Sequence, residues 1–179
     1  VPPESAGLLD ILPAEDDAAI RRVQACWEHL SQDRRGEAAA LLAEIDREER
    51  TVSSALLRLR VWPRLGTQEG ALEAADWLLA RFPDHRQIRL EVAQHLVRLD
   101  QEDRAVALVR EHKGRQPSRA LIILGDAARR ESPEEACRLY RKAAIADPES
   151  ELPLAHWGDA ELQLGNLERA EARSEEHTS

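Results

Sequence analysis

The chain has 179 residues, of which 42% are hydrophobic and 33% charged, and this balance excludes wholesale disorder because enough apolar surface is available to bury a core. A formal net charge of −9 argues against nonspecific binding to nucleic acid or to an anionic membrane, since both need a dominant positive field. Aromatic residues make up only 3%, so the core must consist mainly of Leu, Ala, Val and Ile, which suits closely packed helices better than a β-sandwich.

The two ends of the chain are predicted to lie outside the folded domain. Residues 1–15 are rich in proline and are expected to form an irregular leader. Residues 173–179 resemble the translation of a widely used sequencing adaptor, and we interpret them as an artefactual tail. The natural chain is therefore expected to continue beyond Ala172. Because the sequence starts at Val1, a signal peptide would escape observation, and the localisation stays open with the cytoplasm as the default.

Between these ends the pattern predicts helices that follow one another in pairs. Asp16 is suited to cap a first helix, and the polar run 32–36 turns the chain into a second one. The next pair is expected at 52–62 and 67–82, with a break at Pro63–Gly66. No stretch alternates between apolar and polar residues with period two, so no strand is expected.

Later helices carry clearer terminal signals. Asp84 and Gln87 form a capping-box pattern at the start of the third pair. Ser132 is predicted to cap a helix whose first position is Pro133. Gly165–Asn166 is predicted to turn the chain into a last, short helix.

One spacing recurs along the chain. An alanine is followed twelve positions later by a proline at three places, which are Ala71 and Pro83, Ala105 and Pro117, and Ala136 and Pro148. The prolines stand at 83, 117 and 148, so they lie 34 and 31 residues apart. Recurrence at this period indicates stacked helix-turn-helix units, each of which buries apolar surface against its neighbours.

Residues 136–148 carry the fullest motif, with an alanine first, Tyr140 four positions later and Asp147-Pro148 at the end. This motif resembles the tetratricopeptide repeat (TPR) family, whose unit of about 34 residues has the same order of small residue, aromatic residue and closing proline. Leu124-Gly125 and Trp157-Gly158 resemble the Leu-Gly pair of the family's first helix. The resemblance implies an all-α, right-handed superhelical solenoid of about five antiparallel helix pairs over residues 16–172. The expected units are 16–50, 51–83, 84–117, 118–148 and a truncated 149–172.

The resemblance also implies a function. TPR-like solenoids line a concave groove with the first helix of each pair, and the groove holds a peptide or a partner's helix. A non-catalytic protein–protein interaction scaffold is therefore expected, and the alternative is a recognition or docking arm of a larger bacterial enzyme or regulator. A second copy of the same chain is the other expected partner, and it would bind at the truncated C-terminal unit. No nucleotide-binding glycine loop, GxSxG or His-Glu-x-x-His motif is present, so no catalytic residue, metal ligand or cofactor is expected.

The polar stripe of each first helix predicts where a partner binds, because spacings of seven and four keep residues on one helix face. The candidate groove residues are Arg60, Arg64, Gln87, Gln94, Arg98, Arg119, Asp126, Arg130, Asp159 and Gln163. Five arginines against two aspartates make this stripe positive, which favours an acidic or carboxylate-bearing partner. An ordinary solvated helix face is the alternative.

Two further pairs of residues have reactive or titratable side chains, but their spacing in the sequence does not indicate a metal site or a catalytic site. Cys26 and Cys137 are far apart in the sequence and are expected to be small buried thiols. Glu91 and His95 share a helix face, and a surface ion pair is favoured over a pair of metal ligands or an acid/base couple.

Overall fold

The computed structural model describes residues 17–47, 50–111 and 118–177, and within these ranges it contains α-helices and no strand. The helices are α1 Asp17–Ser31, α2 Arg35–Ile45, α3 Val52–Leu65, α4 Gln68–Arg81, α5 Arg86–Arg98, α6 Glu102–Arg110, α7 Ser118–Ala128, α8 Pro133–Ala146 and α9 Leu152–His177. The predicted all-α fold is confirmed. The predicted leader, residues 1–15, lies outside the described residues. Each of the first four expected units contains two of these helices, while the unit boundaries themselves stay a prediction.

The chain divides into two compact units, Val1–Ile88 (the first unit) and Arg89–Ser179 (the second unit). In the first unit α1 packs on α2, α3 packs on both, and α4 packs on α3. One buried cluster holds α1, α2 and α3 together, and it consists of Cys26, Leu30, Ala38, Leu42, Ile45, Leu57 and Val61. Its members come from three helices, so burial of apolar surface, at about 25 cal/mol per Å², stabilises their packing together.

The start of α3 is fixed by a reciprocal pair of side-chain hydrogen bonds. Thr51 Oγ1 accepts from the Ser54 backbone N–H at 3.1 Å, and Ser54 Oγ accepts from the Thr51 backbone N–H at 2.9 Å. These bonds satisfy donors that the first turn of a helix leaves free. The predicted cap at Ser132 is different, because its side chain makes no capping hydrogen bond to α8.

This difference gives a stability prediction. Thr51→Ala is expected to lower the free energy of unfolding by about 1 kcal/mol, because it removes a cap that is made. Ser132→Ala is the matched control and is expected to change the free energy of unfolding by less than about 0.5 kcal/mol. Urea unfolding followed by circular dichroism at 222 nm measures both, and equal losses in the two variants would contradict the assignment.

In the second unit the helices α6 to α9 pack in sequence, each against the next. α5 is tied to α6 by Arg89, whose Nη2 donates to the Leu108 carbonyl at 3.4 Å and pairs with the Glu111 carboxylate. A buried hydrophobic cluster lies between α7, α8 and α9, and it consists of Ile122, Ala136, Tyr140, Ala143 and Ala160. Tyr140 is the largest fully buried side chain in the described part of the chain. The alanines on either side leave room for its ring, so the helices can approach closely.

The predicted turn at Gly165–Asn166 is wrong, because α9 runs through it as one helix from Leu152 to His177. Glycine costs a helix about 1 kcal/mol relative to alanine and asparagine costs less, so neither residue alone ends a helix. The residues that follow, Leu-Glu-Arg-Ala-Glu-Ala, are strong helix formers, and they outweigh this local cost. Residues 173–177 of the expected tail also lie in this helix.

Two other predicted boundaries differ in detail. α5 is not opened by Asp84, since His85 Nδ1 accepts the hydrogen bond from the Ile88 backbone N–H at 3.3 Å. α3 does not break before Pro63 but continues to Leu65, with the proline inside its last turn. Pro63 cannot donate a backbone hydrogen bond to the carbonyl of Leu59, and its ring crowds that carbonyl, so α3 continues for only two more residues.

Candidate functional site

The candidate residues of the first unit lie along α3 and at the start of α5. Arg60 is half-buried, whereas Arg64 is exposed in the last turn of α3. Gln87 is exposed in the first turn of α5. These three side chains therefore lie at or near the surface of their own helices, and their role in binding stays a prediction.

In the second unit, the candidate residue Arg119 of α7 bonds to the candidate residue Gln94 and to Glu91, both on α5. Its Nη2 donates to Gln94 Oε1 at 2.7 Å and to Glu91 Oε2 at 2.5 Å, so α7 is bonded to α5 at two points. The side chain of Arg119 is 39% exposed, while that of Glu91 is only 6% exposed. His95 Nε2 lies 3.4 Å from Glu91 Oε1 on the other side of the carboxylate. Arg119, Glu91 and His95 thus form a largely buried polar cluster with Gln94 at its edge.

The interpretation of Glu91 and His95 as a surface ion pair is wrong in one respect. The two side chains do contact each other, but both are buried. The sequence places them on one face of α5, and folding brings Arg119 of α7, 28 residues later, to the carboxylate of Glu91. A buried carboxylate needs a charged or hydrogen-bonding partner, which Arg119 supplies.

Asp126 is the centre of a second polar cluster. Its Oδ1 accepts from the Tyr140 hydroxyl at 2.7 Å and lies 2.9 Å from His156 Nδ1, so α7, α8 and α9 meet at one oxygen atom. Burial, reinforced by the hydrogen bond to Asp126, raises the pKa of Tyr140. The hydrogen bond with Asp126 also raises the pKa of His156 above its ordinary value, against the smaller opposing effect of partial burial.

The remaining candidates are more peripheral. Arg130 lies beyond the end of α7, and its Nη2 is 2.8 Å from Asp100 Oδ1 and 3.5 Å from Glu102 Oε1. Arg130 is therefore not on the α7 helix face where the sequence pattern put it. Gln163 Oε1 accepts from Arg129 Nε at 2.7 Å, and Asp159 is exposed.

Other kinds of site find little support in the described residues. No group of three or more His, Cys, Asp or Glu among them is placed to hold a metal ion. In the same part of the chain no helix combines the length and the apolar character needed to cross a membrane. Both cysteines are free; Cys26 is buried as expected, and Cys137 is half-buried. Burial raises the pKa of each thiol.

Comparison with known proteins identifies the fold. No family model and no curated protein matches the chain in sequence. A solved tetratricopeptide repeat protein from Parabacteroides merdae ATCC 43184 is 17% identical and aligns over 95% of this chain and 68% of its own, with a TM-score of 0.65. MamA from Desulfovibrio magneticus RS-1 is 20% identical over 91% of this chain and 94% of its own, with a TM-score of 0.57. The chain has a TPR-like fold.

The TPR-like fold gives the candidate residues of the second unit a common setting. α5 and α7 are the first helices of the predicted units 84–117 and 118–148, and α9 follows them. Each of the three helices contributes polar side chains to the contacts described above. The positive charge expected of this stripe is reduced, since Arg119 pairs with Glu91 and Arg130 pairs with Asp100 and Glu102. Arg98 is exposed and makes no ion pair with another described residue. Sequence reasoning missed the neutralising carboxylates because they come from other repeats.

The Asp126–His156 contact predicts a pH-dependent stability of the TPR-like second unit. A histidine whose pKa is raised on folding stabilises the fold fully below its ordinary pKa of about 6.5, and this contribution is lost as pH rises through the higher folded pKa. Arg129 opposes protonation of His156 and Asp159 favours it, both less strongly than Asp126.

His156→Gln tests this effect, because every other titrating group is common to both proteins. The free energy of unfolding lost in the variant is expected to be larger at pH 5.5 than at pH 9, when urea unfolding is followed by circular dichroism. A loss that is constant over this range would show that protonated His156 does not stabilise the unit.

Proposed function

We propose that this TPR-like chain is a non-catalytic scaffold that binds a peptide segment or a partner's helix. The proposed binding face is formed in the second unit by α5, α7 and α9. The observation that carries the proposal is the bonding of polar side chains between successive first helices, Gln94 to Arg119 and Asp126 to His156. Side chains that are already held by neighbours lose less conformational entropy when a partner binds, so such a face is suited to recognition.

The chemistry of the face favours a partner segment that carries a carboxylate. Arg98 is exposed at the end of α5, one turn from Gln94, and has no ion pair within the described residues. A guanidinium group can bind a carboxylate through two parallel hydrogen bonds, while the amide of Gln94 can bond to a neighbouring backbone group. The partner proposed here is thus an acidic segment with apolar residues between its charges.

Two probe peptides test the proposal. The acidic peptide is acetyl-(Glu-Leu-Ala)3-amide, and the basic peptide is acetyl-(Lys-Leu-Ala)3-amide, each with a fluorescent label for anisotropy. We expect Arg98→Glu to weaken binding of the acidic peptide at least about tenfold, as a charge-assisted hydrogen bond is worth about 1.5–3 kcal/mol.

Lys142→Glu is the matched control, because it makes the same change of charge at an exposed position of α8. The affinity of this variant for the acidic peptide is expected to stay within about twofold of that of the unmodified chain, because an isolated surface charge contributes little to an interaction. Equal losses in the two variants would mean that net charge alone, and not Arg98, determines binding.

A further inference from the structure

A second groove lies in the second unit, between α6, the last two turns of α7 and the first two turns of α8, and has a volume of about 680 Å³. Its apolar floor is formed by Val106, Leu124, Ala127, Ala128 and Leu139, all of them half-buried. Half-buried aliphatic side chains that face an open groove retain apolar surface that a ligand could cover.

This groove is separate from the binding face proposed above. At about 100° of rotation per residue, Leu124 and Ala128 lie about 140° and 180° around α7 from Arg119. The groove also takes its walls from the second helices α6 and α8, whereas the proposed face belongs to α5, α7 and α9. A ligand in the groove therefore need not displace one on the face.

The rim of the groove has an excess of negative charge. Its carboxylates are Asp100, Glu102, Asp103, Glu131 and Glu135, and its cations are Arg104, Arg110 and Arg130. Arg130 is already paired with Asp100 and Glu102. Asp103 and Glu131 are exposed and form no ion pair with any described residue, so their charges stay available to a ligand.

Helix dipoles account for only part of this negative charge. Glu102, Asp103 and Glu135 lie in the first turns of α6 and α8, where the positive end of a helix dipole stabilises a carboxylate. Glu131 lies between the C-terminus of α7 and the N-terminus of α8, so the two helix dipoles act on its carboxylate with opposite signs. The adjacent cation, Arg130, attracts Glu131 only weakly, because its guanidinium group is already paired with Asp100 and Glu102. A cation from outside would remove this imbalance.

We propose that this groove binds a basic peptide segment with aliphatic side chains between its charges. An aliphatic side chain of the ligand covers Val106, Leu124 and Leu139, while lysine or arginine side chains lie against Asp103 and Glu131. The chain is then a scaffold with two surfaces of opposite preference, one for an acidic segment and one for a basic segment. The proposal for this groove does not depend on binding at the first face.

The basic peptide defined above is the probe. It is expected to bind the full chain and to shift the amide NMR signals of Val106, Leu124 and Leu139 more than those of the first unit. Asp103→Lys/Glu131→Lys is expected to weaken its binding at least about tenfold, because two attractive charges become repulsive. Raising the sodium chloride concentration from 50 to 500 mM is expected to weaken binding in the unmodified chain as well.

Glu28→Lys/Glu44→Lys is the matched control, since it makes the same change of net charge at exposed positions of α1 and α2. Its affinity for the basic peptide is expected to stay within about threefold of that of the unmodified chain, because neither Glu28 nor Glu44 lines the groove. Similar losses in both double variants, or signals that shift only outside the groove, would overturn the proposal.

Discussion

Gly125→Ala is expected to lower the free energy of unfolding by about 1–3 kcal/mol, although alanine is the better helix former. A β-carbon at Gly125 would lie 2.5 Å from Cε1 and 2.8 Å from Cδ1 of Tyr140, which is shorter than any relaxed carbon–carbon contact. The ring cannot simply move away, because it is fully buried and its hydroxyl donates to Asp126 at 2.7 Å. Either α7 and α8 must separate or this hydrogen bond must break.

Gly158→Ala is the matched control for this variant. Gly158 follows Trp157 in the sequence pattern that also contains Leu124-Gly125, yet nothing lies within 4 Å of a β-carbon built there. The substitution is expected to raise the free energy of unfolding by about 0.5–1 kcal/mol through helix propensity alone. The free energy of unfolding, measured by urea unfolding followed by circular dichroism, should therefore fall for Gly125→Ala and rise for Gly158→Ala. If both substitutions stabilised the protein, the Tyr140 ring would be able to adjust to a β-carbon at position 125 without loss of stability.

Arg119→Met is expected to lower the free energy of unfolding by about 3 kcal/mol, at the low end of what removal of one partner from a buried ion pair costs. The low end applies because Arg119 is itself 39% exposed at the side chain, while Glu91 is 6% exposed. The variant keeps most of the aliphatic packing of the arginine stem but removes the guanidinium group that Glu91 faces. Urea unfolding at pH 7 measures the loss.

Arg130→Met is the control, because the side chains of Arg130 and Asp100 are 74% and 65% exposed. An exposed ion pair of this kind is screened by solvent and contributes little to stability, so little change is expected. The double variant Glu91→Gln/Arg119→Met should lose less free energy of unfolding than the two single variants lose when their losses are added. The reason is that the double variant no longer buries an uncompensated carboxylate charge. A loss for Arg119→Met no greater than that for Arg130→Met would contradict the buried ion pair.

Much of the helical architecture follows from local signals. The spacing from Ala136 to Pro148 placed a helix that the structure has at Pro133–Ala146, and it singled out Tyr140, which is the centre of the core between α7 and α8. Such signals work because a helix end, a small residue and an aromatic residue four positions later are all read within one or two turns of chain. The Leu124-Gly125 pair was found in the same way, but the close approach of Tyr140 to the glycine appeared only on folding.

The sequence pattern predicted which residues belong to the candidate face, but it was less successful in predicting where their side chains lie and what they contact. The seven- and four-residue spacings selected Gln94, Arg119 and Asp126, whose side chains the structure brings into contacts between neighbouring helices. The same spacings also selected Arg130, which lies past the end of its helix. A face pattern assumes that the helix continues. The start of the next helix at Ser132 and Pro133 requires α7 to stop before them, and the face pattern did not take this signal into account.

The sequence by itself determined that this chain folds into paired helices of a TPR-like kind, because helix periodicity, closing prolines and small residues act over short distances along the chain. Only the tertiary structure decided which charges remain available to a partner. Glu91 neutralises Arg119 from 28 residues away, and Asp100 neutralises Arg130 from 30 residues away. Coulombic attraction depends on distance in space and on burial, and neither quantity can be read from a single helix pattern.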